Sequence, residues 1–94
     1  MNDELFNNRP FPNKGETWKH FKGGLYVIIG LGLLVDNSKE GVKGYEIIYV
    51  IYENSRGEIF IRNIVEFMSE VDHDKYPDCN QKYRFELTED EFSD

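Results

Sequence analysis

The sequence predicts an all-β fold: a small, strongly curved β-barrel of five to six strands with an extended N-terminal arm. Three observations predict it. Short apolar segments follow the two-residue alternation of strands, glycine pairs mark tight turns and bends between them, and no segment sustains a helical period. At 94 residues and 39% hydrophobic, the chain is long enough for one core and too short for two. Seven Phe, six Tyr and one Trp allow a few large side chains to supply most of the buried area.

Residues 1–14 are rich in Asn and Pro, include Arg9-Pro10-Phe11-Pro12, and read as an arm that Phe6 and Phe11 can pin to the domain. The barrel domain is expected over 15–87. Thr17 to Phe21 is its first strand, and Lys22-Gly23-Gly24 is the turn that glycine's positive φ permits. Leu25 to Leu34 is a long second strand, in which Gly30 and Gly32 mark a bulge, a bend or a close backbone approach. Asp36 to Gly44 reads as an exposed loop. Tyr45 to Glu53 is a strand apolar on both faces, and Asn54-Ser55-Arg56-Gly57 is a hairpin loop into Glu58 to Arg62. Asn63 to Phe67 suits one helical turn, Met68 to Val71 returns to an extended path, and Lys82 to Leu87 is the last strand, with Tyr83 and Phe85 on one face. Residues 88–94 form an acidic tail.

Residues 1 to 65 hold eight acidic and eight basic side chains, whereas 66 to 94 hold ten acidic and three basic, so the net charge of −7 lies in the last third. That asymmetry argues against direct nucleic-acid binding, which needs a cationic surface. It suits either a solubilising tail or an acidic surface that docks on a basic partner. Cys79 has no second cysteine with which to form a bridge, and Met1-Asn2-Asp3-Glu4 lacks the pattern of a secretory signal, so a reducing, cytoplasmic location is expected. The apolar run Leu25 to Val35 is about half the roughly 20 residues a membrane helix needs, so no membrane association is expected.

The segment Trp18-Lys19-His20-Phe21-Lys22-Gly23-Gly24 brings aromatic, cationic and imidazole groups to a turn, and Phe60-Ile61-Arg62 answers it later in the chain. The candidate ligand face is Trp18, His20, Tyr26, Tyr49, Tyr52, Arg62 and Asn63. A planar guanidinium, an imidazole near neutral pKa and aromatic faces suit a phosphate-bearing or planar ligand such as a nucleotide. The competing reading is structural: the rings fill the core or its rim, His20 satisfies a strand-end carbonyl, and Arg62 pairs with Glu46 or Glu58.

Catalytic patterns are weak. Cys79 lies in a polar loop six positions after His73, without a rigid scaffold to align a nucleophile and base. Asp72-His73-Asp74 with Asp78 and Cys79 has no spacing typical of a dedicated metal site. Neither Gly23-Gly24 nor Gly30-Leu31-Gly32 opens a helix as a phosphate loop does. No enzymatic activity, metal or cofactor is expected.

The ordered series Trp18-Lys19-His20-Phe21-Lys22-Gly23, Tyr26, Gly30, Ile48-Tyr49, Ile51-Tyr52 and Phe60-Ile61-Arg62, followed by Phe67 and Val71, resembles the family called domain of unknown function 1653. The resemblance spans roughly residues 15 to 87. It implies an SH3-like β-barrel, occurrence in bacteria and phages, and no established enzymatic activity. Asp36-Asn37-Ser38-Lys39-Glu40 and Asn63 depart from the family pattern. Two function classes follow. One is a binding module that holds a small, nucleotide-like ligand or a peptide on its aromatic-basic face. The other is an acidic inhibitor that covers the basic surface of a host nucleic-acid-binding protein. Exposed strand edges also leave room for a homodimer.

Overall fold

A computed structural model describes residues 9–35 and 47–90. Five antiparallel strands form one sheet: β1 (Thr17–His20), β2 (Leu25–Leu33), β3 (Ile48–Glu53), β4 (Ile59–Asn63) and β5 (Phe85–Thr88), with one helical turn, α1 (Ile64–Phe67), between the last two. Their order across the sheet is β4-β3-β2-β1-β5. The all-β class is as expected, but the sheet is open, with β4 and β5 as its two edges. The expectation of a closed barrel is therefore corrected. One face of the sheet is instead covered by α1 and by the segment that follows it, whose Phe67, Met68 and Val71 are all buried.

Local chemistry sets the turns. Between β1 and β2, the Gly23 N–H donates to the His20 carbonyl at 2.8 Å and the Lys22 N–H to His20 Nδ1 at 3.1 Å. Between β3 and β4, the Asn54 side-chain oxygen accepts from the backbone N–H of Arg56 at 3.0 Å and of Glu58 at 2.9 Å. Gly57 completes that turn at φ 82°, where L side chains are strained. The register between β2 and β3 shifts between Ile28 and Gly30, so the glycine-marked irregularity is a bulge. Two residues on, a Cβ at Gly32 would lie 3.2 Å from Ile51 Cδ1, so the space beside that glycine is taken by a side chain and not by a second backbone.

Alternation along the strands selects the core. Trp18, Ile28, Val50, Tyr52 and Phe85 face Ile64, Phe67 and Met68 and form one buried cluster. The Phe67 and Phe85 rings stack 4.0 Å apart at 7°, and Trp18 meets Phe67 edge-on at 5.6 Å. Asn63 caps α1 by accepting the Val65 N–H at 2.9 Å. Beyond α1 the chain runs beside the approach to β5: Val71 N–H donates to the Lys82 carbonyl at 2.9 Å and Arg84 N–H to the Ser69 carbonyl at 2.8 Å. The Asp36 to Gly44 loop, Tyr45, Phe6 and the end of the acidic tail lie outside the described residues. No helix among the described residues is long and apolar enough to cross a membrane.

The N-terminal segment is tied into this core. Arg9 donates to the carbonyls of Met68, at 2.9 Å, and Phe85, and its guanidinium lies 3.6 Å from the centre of the Tyr83 ring. Burial lowers the Arg9 pKa from its ordinary value. Phe11 packs against the core and Pro12 is fully buried.

Two stability predictions follow from these contacts. Gly57→Ala meets no atom within 4 Å, so its cost is backbone strain alone, about 1 kcal/mol in urea unfolding. Arg9→Ala strands two carbonyls that bridge α1 to β5, and the same measurement should show a loss of about 2 kcal/mol or more.

Candidate functional site

The turn after β1, the end of β4 and the connection from α1 to β5 meet around a pocket of about 340 Å³. Its walls are His20, Phe21, Lys22, Arg62, Asp72, Lys75, Tyr76 and Arg84. Each wall is held by its own hydrogen bonds. The Asp72 carboxylate accepts the N–H groups of Asp74 and Lys75 at 3.1 and 3.2 Å, and the Asp72 carbonyl accepts that of Tyr76 at 2.9 Å. That tight turn projects Lys75 and Tyr76 together. The Phe21 N–H donates to the Arg84 carbonyl at 2.9 Å, and the Gln81 amide donates to the carbonyls of Lys19 and Tyr83 at 2.9 Å each. These bonds fix the connection against the end of β1.

Four cationic side chains, Lys22, Arg62, Lys75 and Arg84, line this pocket against one carboxylate, Asp72. The chain as a whole carries −7. Arg62 is oriented by Nε donating to the Tyr52 hydroxyl at 3.1 Å and by its ion pair to Glu66 at 2.6 Å. Burial opposes its charge, but the hydrogen bond to Tyr52 and the negative charge of Glu66 outweigh that and hold its pKa above the ordinary value. Arg84 is positioned by Nε donating to Ser69 Oγ at 3.3 Å.

His20 is the neutral member of the group. Its Nδ1 accepts the Lys22 N–H, so the ring proton sits on Nε2. Burial, then the positive charges of Arg62, Arg84 and Lys22, lower its pKa to about 4. Tyr76 stands at the border with a second, more open cleft of about 660 Å³, whose wall also includes Phe21, Lys22 and Lys75. The Phe21 and Tyr76 rings meet edge-on at 5.0 Å. A hydrogen bond from Lys22, followed by the charges of Lys22 and Lys75, lowers the Tyr76 pKa.

Of the seven residues picked from the sequence, the structure brings two, His20 and Arg62, to this pocket. Trp18 is 1% exposed and Tyr52 3%, so both rings are core, although the Tyr52 hydroxyl steers Arg62. Tyr26 is half-buried and meets Tyr52 and Phe60 edge-on at 5.3 and 5.9 Å. Tyr49 lies on the opposite face of the sheet, in a groove with Gly32, Leu34, Ile51 and Ile61. Asn63 caps α1. Arg62 pairs with Glu66, while Glu58 pairs with Arg56. His20 accepts a backbone N–H and does not donate to a carbonyl through Nδ1.

Lys75, Tyr76 and Arg84 were missed by sequence reading, because only folding brings the connection between α1 and β5 to the β1–β2 turn. Lys22 and Phe21 stood in the quoted motif, and their spacing around His20 was the available signal. His73 Nε2 and Cys79 Sγ both approach the Gln81 carbonyl, at 3.1 and 3.4 Å. Among the described residues no group of three or more His, Cys, Asp or Glu side chains could hold a metal ion.

The depressed His20 pKa has a definite sign. Stability due to the neutral imidazole is fully present above its ordinary pKa of 6.5 and is lost as pH falls toward about 4. Urea midpoints for the wild type should therefore drop across that window, and His20→Gln, which does not titrate, should drop less. An imidazole midpoint near 6.5 by NMR would contradict the geometry.

No curated protein and no solved structure matches the chain significantly. The family model described as protein of unknown function (DUF1653) matches residues 16–87. With its quoted motifs lying within that span and with the walls of the pocket inside it, the chain belongs to the DUF1653 family.

Proposed function

We propose that the protein is a non-enzymatic binding module for a small phosphate-bearing ligand, with nucleotides as the best-fitting class. The observation that carries the reading is the gathering of Lys22, Arg62, Lys75 and Arg84 around one pocket of an otherwise acidic chain. Like charges repel one another, so a cluster of this kind is favoured when an anion occupies its centre. Two guanidinium groups give the directional donors that phosphate oxygens accept, and His20 Nε2–H adds a neutral donor. The pocket has the size of ordinary small-molecule sites.

The adjoining cleft supplies the second half of the reading. It shares Phe21, Lys22, Lys75 and Tyr76 with the cationic pocket, so a ligand with its phosphate among the arginines can lay a planar group on the aromatic divide. Bacterial or phage origin and an SH3-like relationship belong to the same proposal. The SH3-like relationship is supported by five antiparallel strands with a single helical turn before the last, and the origin rests on the sequence resemblance alone.

A thermal-shift and calorimetry panel of inorganic phosphate, nucleoside monophosphates and cyclic dinucleotides tests the reading. Nucleotides should raise Tm, and Arg84→Gln should weaken their binding roughly tenfold or more, as expected for losing a charge-assisted hydrogen bond. Tyr49→Ala, on the far face, should leave affinity unchanged, and the recovered nucleotide should have an unaltered mass. An unchanged Tm across the panel overturns the proposal.

A further inference from the structure

The cleft that adjoins the cationic pocket has a polar wall that phosphate binding does not use. It shares Phe21, Lys22, Lys75 and Tyr76 with the pocket and continues along Pro77, Asp78, Cys79 and Asn80, none of which lines the pocket. This wall is held in place. The Cys79 N–H donates to the Tyr76 carbonyl at 3.1 Å and closes a turn with Pro77 and Asp78 at its centre, where the fixed φ of proline suits the first central position. Cys79 Sγ donates to the Gln81 carbonyl at 3.4 Å, and the Gln81 amide donates to the Lys19 carbonyl at 2.9 Å, which ties the turn back to β1.

Asp78 is the one carboxylate among the described residues that line this cleft, against three lysines. It is exposed and forms no ion pair with any of them. The Nζ atoms of Lys22 and Lys75 lie instead 5.3 and 5.5 Å from the centre of the Tyr76 ring. An acceptor-only group thus stands in the wall beside the aromatic divide, where neither Arg62 nor Arg84 reaches the lining. Nucleobases differ in what they offer such a group. The pairing edge of guanine carries two adjacent donors, N1–H and the 2-amino group, a fork of the kind that a carboxylate accepts from arginine. Adenine has an acceptor at N1, hypoxanthine lacks the 2-amino group, and each pyrimidine sets an acceptor beside its donor.

We infer that Asp78 reads guanine and that the ligand is a guanine nucleotide, an assignment that rests on phosphate binding in the adjoining pocket. The phosphate sits among the four cationic side chains, and the base lies against Phe21 and Tyr76. The Asp78 carboxylate accepts from N1–H and the 2-amino group, while the Asn80 amide, from the same wall, donates to O6.

Calorimetry of the full chain with guanosine, inosine, adenosine and xanthosine monophosphates and with inorganic phosphate tests the assignment. The wild type should bind guanosine monophosphate roughly tenfold or more tighter than the inosine and adenosine compounds, as expected for hydrogen bonds to a charged group. Asp78→Asn should exchange the preference, because an amide accepts N1–H but donates where xanthine carries a carbonyl. That variant should bind xanthosine monophosphate tighter than guanosine monophosphate, with its affinity for inorganic phosphate not weakened. A purely structural role for Asp78 would not replace one base by another. Equal wild-type affinities for the guanosine, inosine and adenosine compounds overturn the guanine assignment while phosphate binding stands, and a guanine preference that Asp78→Asn keeps overturns the role of Asp78. Absence of binding by every compound, inorganic phosphate included, overturns both the assignment and the phosphate reading.

Discussion

The stack of Phe67 on Phe85 is the contact on which the rest of this structure depends. A five-stranded open sheet cannot bury its own face, and here the missing layer is a single helical turn. Four residues make no stable helix by themselves, because nucleation is costly and little hydrogen bonding follows it. Parallel rings at 4.0 Å, with Trp18 edge-on at 5.6 Å, hold the turn where backbone energetics would not. The Asn63 cap supports it, and Arg9 ties the residue after it to β5. Docking α1 in this way delivers the chain from Ser69 onward to the ends of β1 and β4. The pocket is therefore a by-product of how the core is closed, and its walls inherit the rigidity of that packing.

Charge then acts on the scaffold that packing has set. The last third of the chain is strongly acidic, yet Lys75 and Arg84 from that same third are turned toward Lys22 and Arg62. The cluster is tolerated because its members are individually held: Arg62 by Tyr52 and Glu66, Arg84 by Ser69. His20 responds to the field it stands in by staying neutral, with Nδ1 committed to a backbone N–H. An imidazole fixed as a donor among cations is suited to accepting anions without adding to the repulsion.

Much of the fold was legible in the sequence because its signals are local. Alternation placed β1 to β4 within a residue or two over the described segments, glycines placed the turns and the bulge, and Asn63 followed by Ile64 and Phe67 announced the helical turn. Barrel closure was not a local signal. Whether β4 reaches β5 depends on the path of the residues between them, and here 68–71 and 82–84 pair with each other instead, leaving both edges open. The last strand was accordingly placed three residues early, since Lys82 to Arg84 pair with the segment after α1 before β5 joins β1.

The site was less legible, for a physical reason visible in two residues. Trp18 and Arg62 look alike in sequence, each a recognition-type side chain within a short strand. Both face the core side of the sheet, and position separates them: Trp18 is second in β1, where the face toward α1 is closed over, while Arg62 sits one position before the Asn63 cap, where the chain leaves the sheet. The same layer that buries one therefore leaves the other a side open to the pocket. Lys75 and Arg84 carry no local mark at all, because their role arises only when the core brings a polar connection across the sheet end. Residues that fill a core advertise themselves by periodicity, whereas residues that gather a ligand from distant turns are defined by contacts that periodicity does not encode.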